Sequence, residues 1–454
     1  MSRLPGKMIQ YCAICLLFTM FFGLMVPGVG LSARLADEAQ LPNVYLPLVK
    51  RHVSYEESLG ILDPSFGEGG RVVTDLNGTN DAGTAMAIQQ DGKLLVGGEI
   101  EGDYSVDVGV ARYYPDGNLD TSFGTDGWVS TDILGDDQAA DIAIQQDGKI
   151  LLAGTAFGDF ILVRYNPDGV LDSTFGMGGW VRTDILGGDD KANALAIQSD
   201  GCIVVVGKAM NSSSNYDFAL VRYLENGDLD LSFGANGKVT TDLTAQHDMA
   251  RGIAIQPDGK IIVAGPVKRS VFLHDFAVAR YNSDGILDTT TFGTGGWVFT
   301  DFNVDHDFAN ALILQPDGRI VVAGAATFEE SYYFAIARYT EYGVLDPSFD
   351  NDGRVVTDFG PGHDDGYAVT LQPDGKLIVA SYADIGAGID FVVVRYHPNG
   401  SLDMGFSEDG WVMTDFAGGE DIGLAVVLQP DGEIVVAGSA FNGLDFDFAL
   451  VRYK

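Results

Sequence analysis

The stretch 253-IAIQPDGKIIVAG-265 decides how this chain folds, because the chain repeats it seven times with small changes. Alternating apolar residues lead into a Pro-Asp-Gly turn at 257–259, and a second apolar run begins at Ile261. Proline sets φ at the first turn position, and glycine accepts the left-handed conformation that closes a hairpin. Each copy therefore predicts two antiparallel strands joined by a tight turn.

Each hairpin is followed by a third strand that ends in Arg-Tyr and by a short fourth strand that ends in Thr-Asp. In the third strand FALVRY (218–223), Phe218 and Arg222 lie on one face and Tyr223 on the other, and the remaining residues of both faces are apolar. A four-stranded sheet with two apolar faces is not stable alone in water. Both faces therefore require a neighbouring sheet.

The Arg-Tyr arginines recur at intervals of 52 to 58 residues. They are Arg112, Arg164, Arg222, Arg280, Arg338, Arg395 and Arg452. Seven four-stranded units without helical periodicity predict an all-β fold, a seven-bladed β-propeller with four antiparallel strands per blade over residues 58–454.

The two ends of the repeat region complement each other. If the innermost strand precedes the Gln-Pro-Asp-Gly turn, the region begins with an outermost strand at 71–75 and ends with a third strand at 448–453. We therefore predict that the N-terminal strand completes the last blade and that Val72 lies beside Leu450. Ring closure costs about 5 kcal/mol in loop entropy, which hydrogen bonds of about 1 kcal/mol each can offset.

At these residues the chain resembles the delta-60 repeat family of extracellular bacterial β-propellers. The family pattern reads Gln-Pro-Asp-Gly-Lys, a buried strand, Phe-Ala-x-x-Arg-Tyr and then Leu-Asp-x-x-Phe-Gly. All seven repeats match, although Asp350 and Ser407 replace the glycine after phenylalanine, and Tyr333 replaces the aspartate before the third strand. The resemblance implies a propeller fold and an extracellular location, and it implies no particular reaction.

Residues 1–33 have the order of a secretory signal peptide, in which basic residues precede an apolar run (8–31) and small residues follow. An uncleaved signal anchor is the alternative, because the run approaches the ~20 residues that span a bilayer. Residues 34–57 contain two prolines and no repeat signature, so we interpret them as a linker or pro-segment. We expect a secreted protein with no membrane span after removal of the leader.

The formal net charge of −37 argues against nucleic acid as a partner, since phosphate binding requires a clustered basic surface. Many of the acidic residues are aspartates in glycine-rich turns. Turn formation and solubility can explain this excess, and cations or basic molecules are the alternative partners.

Each Arg-Tyr arginine shares its strand face with apolar residues, so it requires a buried carboxylate partner. The aspartate eight residues later is the predicted partner, and Asp63 completes the set for Arg452. The structural ion pairs predicted in this way include Arg164 with Asp172, Arg222 with Asp230 and Arg280 with Asp288. Because they recur in every blade, we assign them to the framework.

A second sevenfold set of aspartates lies eight residues before the turn glutamine, and we call it the acidic collar: Asp81, Asp137, Asp190, Asp248, Asp307, Asp364 and Asp421. The set is predicted to ring one mouth of the central channel. In one interpretation each carboxylate accepts backbone N–H groups at its turn. In the other, the collar holds Ca²⁺ or a basic group.

The loops between the second and third strands differ in length and content and are predicted to lie on the collar side. Variable loops on a rigid scaffold are where recognition usually occurs. The candidate binding-face residues are His247, His306, His363, Tyr216, Phe272, Tyr332, Tyr333, Tyr382 and Phe441. The three histidines come from different blades, too far apart to share one metal ion.

The sequence contains no nucleophile elbow, zinc-ligand spacing, phosphate-binding loop or dinucleotide fingerprint. We therefore expect a monomeric binding module that recognises an extracellular polysaccharide or protein, with Ca²⁺ as the one candidate cofactor. The alternative is a Ca²⁺-dependent hydrolase or lyase at the channel mouth. An enzyme should bring Asp, Glu, His and Asn to one symmetry-breaking cluster, whereas a binding module should show a broad aromatic and polar face.

Overall fold

The computed structural model describes residues 62–454, except 103, 134, 271–272, 303–305, 329–330, 387 and 417. The predicted signal peptide (1–33) and linker (34–57) lie outside the described residues. The described part of the chain contains 28 strands and no helix, which confirms the all-β prediction. Accordingly, no helix capable of spanning a membrane occurs in this part.

The strands form seven four-stranded antiparallel sheets, as predicted, and we number these blades 1 to 7 in chain order. Blades 1 to 4 contain, in order, β2 (Asp81–Ile88), β3 (Leu94–Glu101), β4 (Val106–Tyr113) and β5 (Trp128–Thr131); β6 (Asp137–Ile144), β7 (Ile150–Ala156), β8 (Asp159–Tyr165) and β9 (Trp180–Thr183); β10 (Asp190–Ile197), β11 (Ile203–Met210), β12 (Tyr216–Tyr223) and β13 (Lys238–Thr241); β14 (Gly252–Ile255), β15 (Ile261–Ser270), β16 (Leu273–Tyr281) and β17 (Trp297–Thr300). Blades 5 to 7 contain β18 (Asp307–Leu314), β19 (Ile320–Phe328), β20 (Ser331–Tyr339) and β21 (Arg354–Thr357); β22 (Asp364–Leu371), β23 (Leu377–Asp384), β24 (Ile389–Tyr396) and β25 (Trp411–Thr414); β26 (Asp421–Leu428), β27 (Ile434–Phe441), β28 (Phe446–Tyr453) and the N-terminal β1 (Arg71–Thr74).

A turn that ends in Asp-Gly, preceded by proline in blades 4 to 7, forms the hairpin between the first two strands of each blade. In blade 4 the Gly259 N–H donates to the Gln256 carbonyl at 2.9 Å, and Gly259 has φ of +83°. The equivalent glycines of the other six turns also have positive φ. Glycine is required there because a Cβ would disfavour this conformation. The repeated local signal thus produces the same hairpin seven times.

The first strand of each blade is its innermost strand. The strands β2, β6, β10, β14, β18, β22 and β26 each contact the next, and β26 contacts β2. These seven strands therefore form a closed ring around the central channel.

The ring closes between the two ends of the repeat region. Strand β1 pairs with β28 as the outermost strand of blade 7, and Val72 lies opposite Leu450, as predicted. The Asp63 N–H also donates to the Arg452 carbonyl at 2.9 Å. The last blade therefore needs residues from both ends of the chain.

A buried arginine joins each of blades 1 to 5 and 7 to the next one. In blade 4, Arg280 Nε donates to Asp288 Oδ2 at 3.1 Å, and its guanidinium carbon lies 4.7 Å from the centre of the Phe292 ring. Its Nη1 donates to the Glu341 carbonyl in blade 5 at 2.6 Å. The same Nε–Oδ2 contact is 2.8 Å between Arg164 and Asp172 and 2.7 Å between Arg222 and Asp230. The arginines thus tie the third strand of one blade to a turn of its neighbour.

A tyrosine provides a second connection between neighbouring blades. The Tyr281 hydroxyl of blade 4 lies 2.9 Å from Thr241 Oγ1 at the outer strand of blade 3. Tyr281 is fully buried, and burial raises the pKa of its hydroxyl above the usual range. Apolar side chains such as Val263 and Ala279 pack against Leu220 of blade 3 around this contact. Both faces of a blade are therefore covered by its neighbours.

Deletion of residues 58–76 should open the ring. It removes β1, and with it backbone hydrogen bonds worth about 1 kcal/mol each and the contacts of Val72, so we expect a fall in melting temperature of about 5–10 °C. Calorimetry of the deletion variant and of a matched variant that lacks 34–57 measures the effect. A melting temperature equal to that of the full chain would contradict the role of β1.

Removal of one carboxylate from the buried framework should destabilise the whole ring. Asp120 is fully buried and pairs with Arg112 at 2.8 Å and with Lys93 at 3.1 Å. Asp120→Asn leaves a buried guanidinium without its counter-charge, so we expect a loss of ~3 kcal/mol in the free energy of unfolding. Chemical denaturation measures it, and Asp116→Asn, in an exposed turn, is the control expected to change little.

Candidate functional site

The structure encloses the collar aspartates within the loops between blades. All seven are 0 to 2% exposed. Asp81 Oδ2 accepts the Leu76 N–H at 2.9 Å, and Asp364 Oδ2 accepts the Phe359 N–H at 3.0 Å. Equivalent bonds at 2.6 to 2.8 Å reach Asp137, Asp190, Asp248, Asp307 and Asp421. The collar carboxylates thus shape the turns that lead into the innermost strands.

Burial raises the pKa of several collar carboxyls. It raises the pKa of Asp81 to about 7, to which the nearby Asp447 and Asp75 contribute, and that of Asp364 to about 8. In five of the junctions between blades, the collar aspartate meets two further aspartates. These junctions are therefore the places in the described chain where acidic groups are concentrated enough to hold a metal ion.

A different group of residues breaks the sevenfold symmetry at the channel. The residue after each collar aspartate differs from blade to blade: Ala82, Gln138, Lys191, Met249, Phe308, Asp365 and Ile422. The residue two positions further on also varies between blades: Thr84, Ala140, Asn193, Arg251, Asn310, Tyr367 and Leu424. In six of the blades this residue lies at or beside a register shift of the innermost strand. Charged residues at these positions come from blades 3, 4 and 6.

A hydrogen-bond network joins residues on, or directly before, three neighbouring innermost strands. We call this network, together with Lys191 and Lys208, the channel cluster. Arg251 Nη1 of blade 4 donates to Asn310 Oδ1 of blade 5. Asn310 Nδ2 donates to Asp365 Oδ1 of blade 6 at 2.7 Å, and a hydrogen bond joins Asp365 to Tyr367. Asn310 and Asp365 are buried. The network therefore holds one asymmetric arrangement of a guanidinium, an amide, a carboxyl and a phenol.

Charged groups of non-adjacent blades influence one another across the channel. Burial raises the pKa of Glu99 in blade 1 to about 7, whereas Lys191 in blade 3 lowers it. Burial lowers the pKa of Lys208 to about 8, and Lys191 and Arg251 add to this shift. Burial raises the pKa of Asp365 to about 7, against the opposing effect of Arg251. These side chains therefore converge on a common space.

Cationic charge in this space is not neutralised by direct contact. Lys191, Lys208 and Arg251 are half-buried, and none of them has a carboxylate within ion-pair distance in the part of the chain that the structure describes. Lys208 instead places its ammonium 3.9 Å from the centre of the Tyr216 ring. The channel cluster thus concentrates positive charge in a strongly acidic protein.

Histidines and aromatic rings surround the cluster in blades 4 to 6. His274 Nδ1 lies 2.9 Å from His306 Nδ1. Burial lowers the pKa of His274 to about 3, with a further contribution from His306, so His274 is neutral. The ring centres of Tyr332 and His363 lie 5.0 Å apart, and the backbone N–H of Tyr332 donates to His363 Nδ1 at 3.2 Å. His306 and His363 are therefore engaged by neighbouring blades.

The remaining predicted binding-face residues occupy different environments. His247 lies 5.5 Å from Tyr216, beside Lys208. The ring centre of Tyr333 lies 5.5 Å from that of Phe328, and the ring centre of Phe441 lies 5.3 Å from that of Phe446. Neither of these ring contacts involves a residue of the channel cluster. Tyr382 does not present its ring at the surface: it is 4% exposed, because it lies within β23 with its ring 6.0 Å from Tyr367. Phe272 lies outside the described residues.

Two of the segments interpreted as variable loops belong largely to strands. In blades 4 and 5 the second and third strands are longer than in the other blades: β15 ends at Ser270 and β16 begins at Leu273, and β19 ends at Phe328 and β20 begins at Ser331. Their residues continue the ladder, as in the pairing of Lys268 with His274. The face is therefore uneven, with longer hairpins in blades 4 and 5.

Sequence reasoning missed Glu99, Lys191, Arg251, Asn310, Asp365 and Tyr367. The signal was available, because these residues occupy repeat positions whose residue type changes from blade to blade. Charged side chains in an otherwise buried strand require partners or solvent. An alignment of the seven repeats identifies these residues, whereas a search for residues that recur in every repeat does not find them.

The opposite face carries a cavity of about 630 Å³ between blades 5 and 6. It is lined by the hairpin turns and by the framework residue Arg338. Because every junction is built from the same turn and the same arginine, we attribute this cavity to the repeat framework. It contains none of the residues of the channel cluster.

The family described as "Domain of unknown function (DUF5122) beta-propeller" matches residues 89–123, 145–175, 198–233, 256–290, 315–349, 372–406 and 429–454. These segments cover about half of the chain and recur once in every blade. The chain belongs to this family. No curated protein matches it.

Several solved structures are similar to this chain at low identity. A catalytically inactive virginiamycin B lyase from Staphylococcus aureus, solved with quinupristin, is 12% identical with a TM-score of 0.44, over 84% of this chain and 98% of that chain. Sqt1 from Chaetomium thermophilum is 12% identical with a TM-score of 0.46, over 83% and 96%. A polysaccharide lyase, an ulvan lyase solved with a bound saccharide, is 12% identical with a TM-score of 0.47, over 83% and 97%.

Proposed function

We propose that this DUF5122 propeller is a secreted binding module that captures an anionic saccharide of an extracellular polysaccharide at the channel cluster. The observation that carries the proposal is the convergence of Lys191, Lys208 and Arg251 without carboxylate contacts in the described chain, although the net charge of the protein is −37. Cations kept together in this way repel one another unless an anion joins them. A uronate or sulfate group is such an anion.

Other groups of the cluster suit the rest of a sugar. Pyranose hydroxyls donate hydrogen bonds, and the oxygens of Asn310 and Asp365 can each accept a further one beside the bonds from Arg251 and between themselves. The rings of Tyr216 and Tyr332 flank the cluster on blades 3 and 5 and can pack against the apolar face of a sugar ring. Charge, hydrogen bonding and aromatic surface thus occur on one side of the propeller.

The extracellular setting rests on residues 1–33 and on the resemblance to delta-60 repeats. A leader with the order of a signal peptide directs a protein to the compartment where polysaccharides are found. A protein partner on the longer hairpins of blades 4 and 5 is the other ligand class compatible with this face. A monomer is sufficient for either ligand, because one chain forms the whole ring.

Catalysis at the same cluster is the second candidate function, as a hydrolase or lyase. The observation that favours it is the single asymmetric convergence of Asn310, Asp365 and Tyr367 with Arg251, the arrangement expected of an enzyme. A carboxyl whose pKa lies near 7, as at Asp365, can exchange a proton near neutral pH. Release of reducing ends or of unsaturated uronates from a bound polyuronate distinguishes turnover from capture.

Replacement of the cluster cations should abolish capture of an acidic saccharide. Arg251→Gln and Lys191→Gln each remove one charge-assisted contact worth about 1.5–3 kcal/mol, so we expect at least a tenfold loss of affinity for an oligogalacturonate. Isothermal titration calorimetry measures it, with a neutral cello-oligosaccharide as the ligand control. Lys238→Gln, on an outer strand, is the matched charge control. Equal affinity in all variants would refute this assignment of the site.

The affinity for the acidic saccharide should rise as the pH falls from about 8.5 to about 6. Lys208, with a pKa of about 8, gains a positive charge, while Glu99 and Asp365, with pKa values of about 7, lose negative charge. Both changes favour an anion, whose own carboxylate, with an ordinary pKa of ~4, stays ionised. Calorimetric titrations across this pH range test the direction of the change in affinity. Lys208→Arg should reduce the pH dependence of the affinity above neutral pH. An affinity that falls on acidification contradicts the proposal.

A further inference from the structure

Five junctions between neighbouring blades each bring three aspartates together. One is a collar aspartate, one follows the outermost strand of the preceding blade, and one lies in the third strand of that blade. Each aspartate offers one carboxylate oxygen, and these oxygens lie within 4.8 Å of one another. The triads are Asp75, Asp81 and Asp447; Asp107, Asp132 and Asp137; Asp159, Asp184 and Asp190; Asp275, Asp301 and Asp307; and Asp390, Asp415 and Asp421.

In two of the triads the chain supplies a cation of its own. Arg182 Nε lies 3.1 Å from Asp159 Oδ2, and Arg269 Nη1 lies 2.8 Å from Asp275 Oδ2. A guanidinium in contact with the triad compensates part of its negative charge. In these two junctions the chain itself places a positive charge beside three converging carboxylates.

The triad at the ring closure has no such arginine or lysine among the described residues. Asp81 is 0% and Asp447 is 3% exposed. Asp81 Oδ2 accepts the Leu76 N–H at 2.9 Å, and Asp447 Oδ2 accepts Asn442 Nδ2–H at 2.8 Å. The Oδ1 atom of each is buried without a hydrogen bond. The unpartnered Oδ1 recurs at the collar aspartates Asp190 and Asp364, whereas Asp447 is the one third-strand aspartate of the triads with such an atom among the described residues. A buried carboxylate oxygen without a partner is costly, so Asp447 points to a bound cation.

We propose that Asp75, Asp81 and Asp447 bind one Ca²⁺ ion at the junction of blades 7 and 1. Ca²⁺ takes six to eight oxygen ligands at about 2.3–2.6 Å, so oxygens on opposite sides of the ion can be ~5 Å apart. The separation of at most 4.8 Å in the triad fits within that sphere. Asp75 is exposed, which leaves room for water molecules to complete the coordination.

The position of this site gives the ion a structural role. Asp75 follows the closing strand β1, Asp447 lies in the last strand β28, and Asp81 begins blade 1. One ion therefore fastens the two ends of the chain to each other and to the first blade. This role is independent of the saccharide site at the channel cluster, because none of the three aspartates belongs to that cluster.

The test compares the full secreted chain with Asp447→Asn and with Asp275→Asn as the matched control. Equilibrium dialysis against CaCl₂ followed by metal analysis counts the bound ions, and thermal melts in CaCl₂ and in EDTA measure their effect. We expect Asp447→Asn to bind one ion fewer and to lose part of the calcium-dependent rise in melting temperature. Asp275→Asn, at a junction that already contains Arg269, should retain the wild-type number of ions.

Amide hydrogen exchange on the unmodified protein keeps the test decisive if Asp447→Asn fails to fold. We expect EDTA to accelerate exchange in residues 71–81 and 441–448 by tenfold or more, with little effect at the β15–β16 hairpin. An unchanged exchange rate at the ring closure, or an equal ion count in the wild type and Asp447→Asn, would overturn the proposal. Mg²⁺ in place of Ca²⁺ should protect less, because it demands a smaller and more regular octahedron.

Discussion

The buried arginine that joins one blade to the next is the interaction on which the ring depends. A guanidinium cannot lose its proton, so its burial is tolerated only when its donors and its charge are satisfied. Arg112 meets Asp120 in its own blade and the Pro167 carbonyl in the next one. Because one of these partners comes from the neighbouring blade, a blade is complete only when its neighbour is in place.

The same constraint explains why the ends of the repeat region must meet. Arg452 lies on the last strand, and its partners are Asp63 at the start of the described chain and the Pro115 carbonyl in blade 1. Without ring closure this arginine would lose both partners, and Tyr113 of blade 1 would lose its packing against Leu450 of blade 7. Strand β1 and the Asp63 turn therefore belong to the framework in the same sense as the repeated hairpins.

Framework and candidate site use separate positions of the same repeat. The arginine, its aspartate and the hairpin turn recur in every blade, whereas the positions that line the channel carry small residues, apolar residues or charges without harm to blade packing. This freedom allows Lys191, Arg251 and Asp365 to gather on one side of the channel. The acidic residues follow another pattern. Many aspartates accept backbone N–H groups at turns, and in five junctions between blades three aspartates lie close together.

The blades, their number and the completion of the last blade by the first strand follow from the amino-acid sequence alone. Turn residues and the apolar alternation of a strand act over a few positions and recur in all seven repeats. These features are therefore predictable without coordinates. The aspartate partners of Arg222 and Arg280 follow from the same repetition. The hydrogen bonds from Arg251 to Asn310 and from Asn310 to Asp365 were decided only by the tertiary structure, as was the meeting of Asp75, Asp81 and Asp447. These residues belong to different blades, and their distances depend on the curvature of the closed ring, which no local pattern encodes.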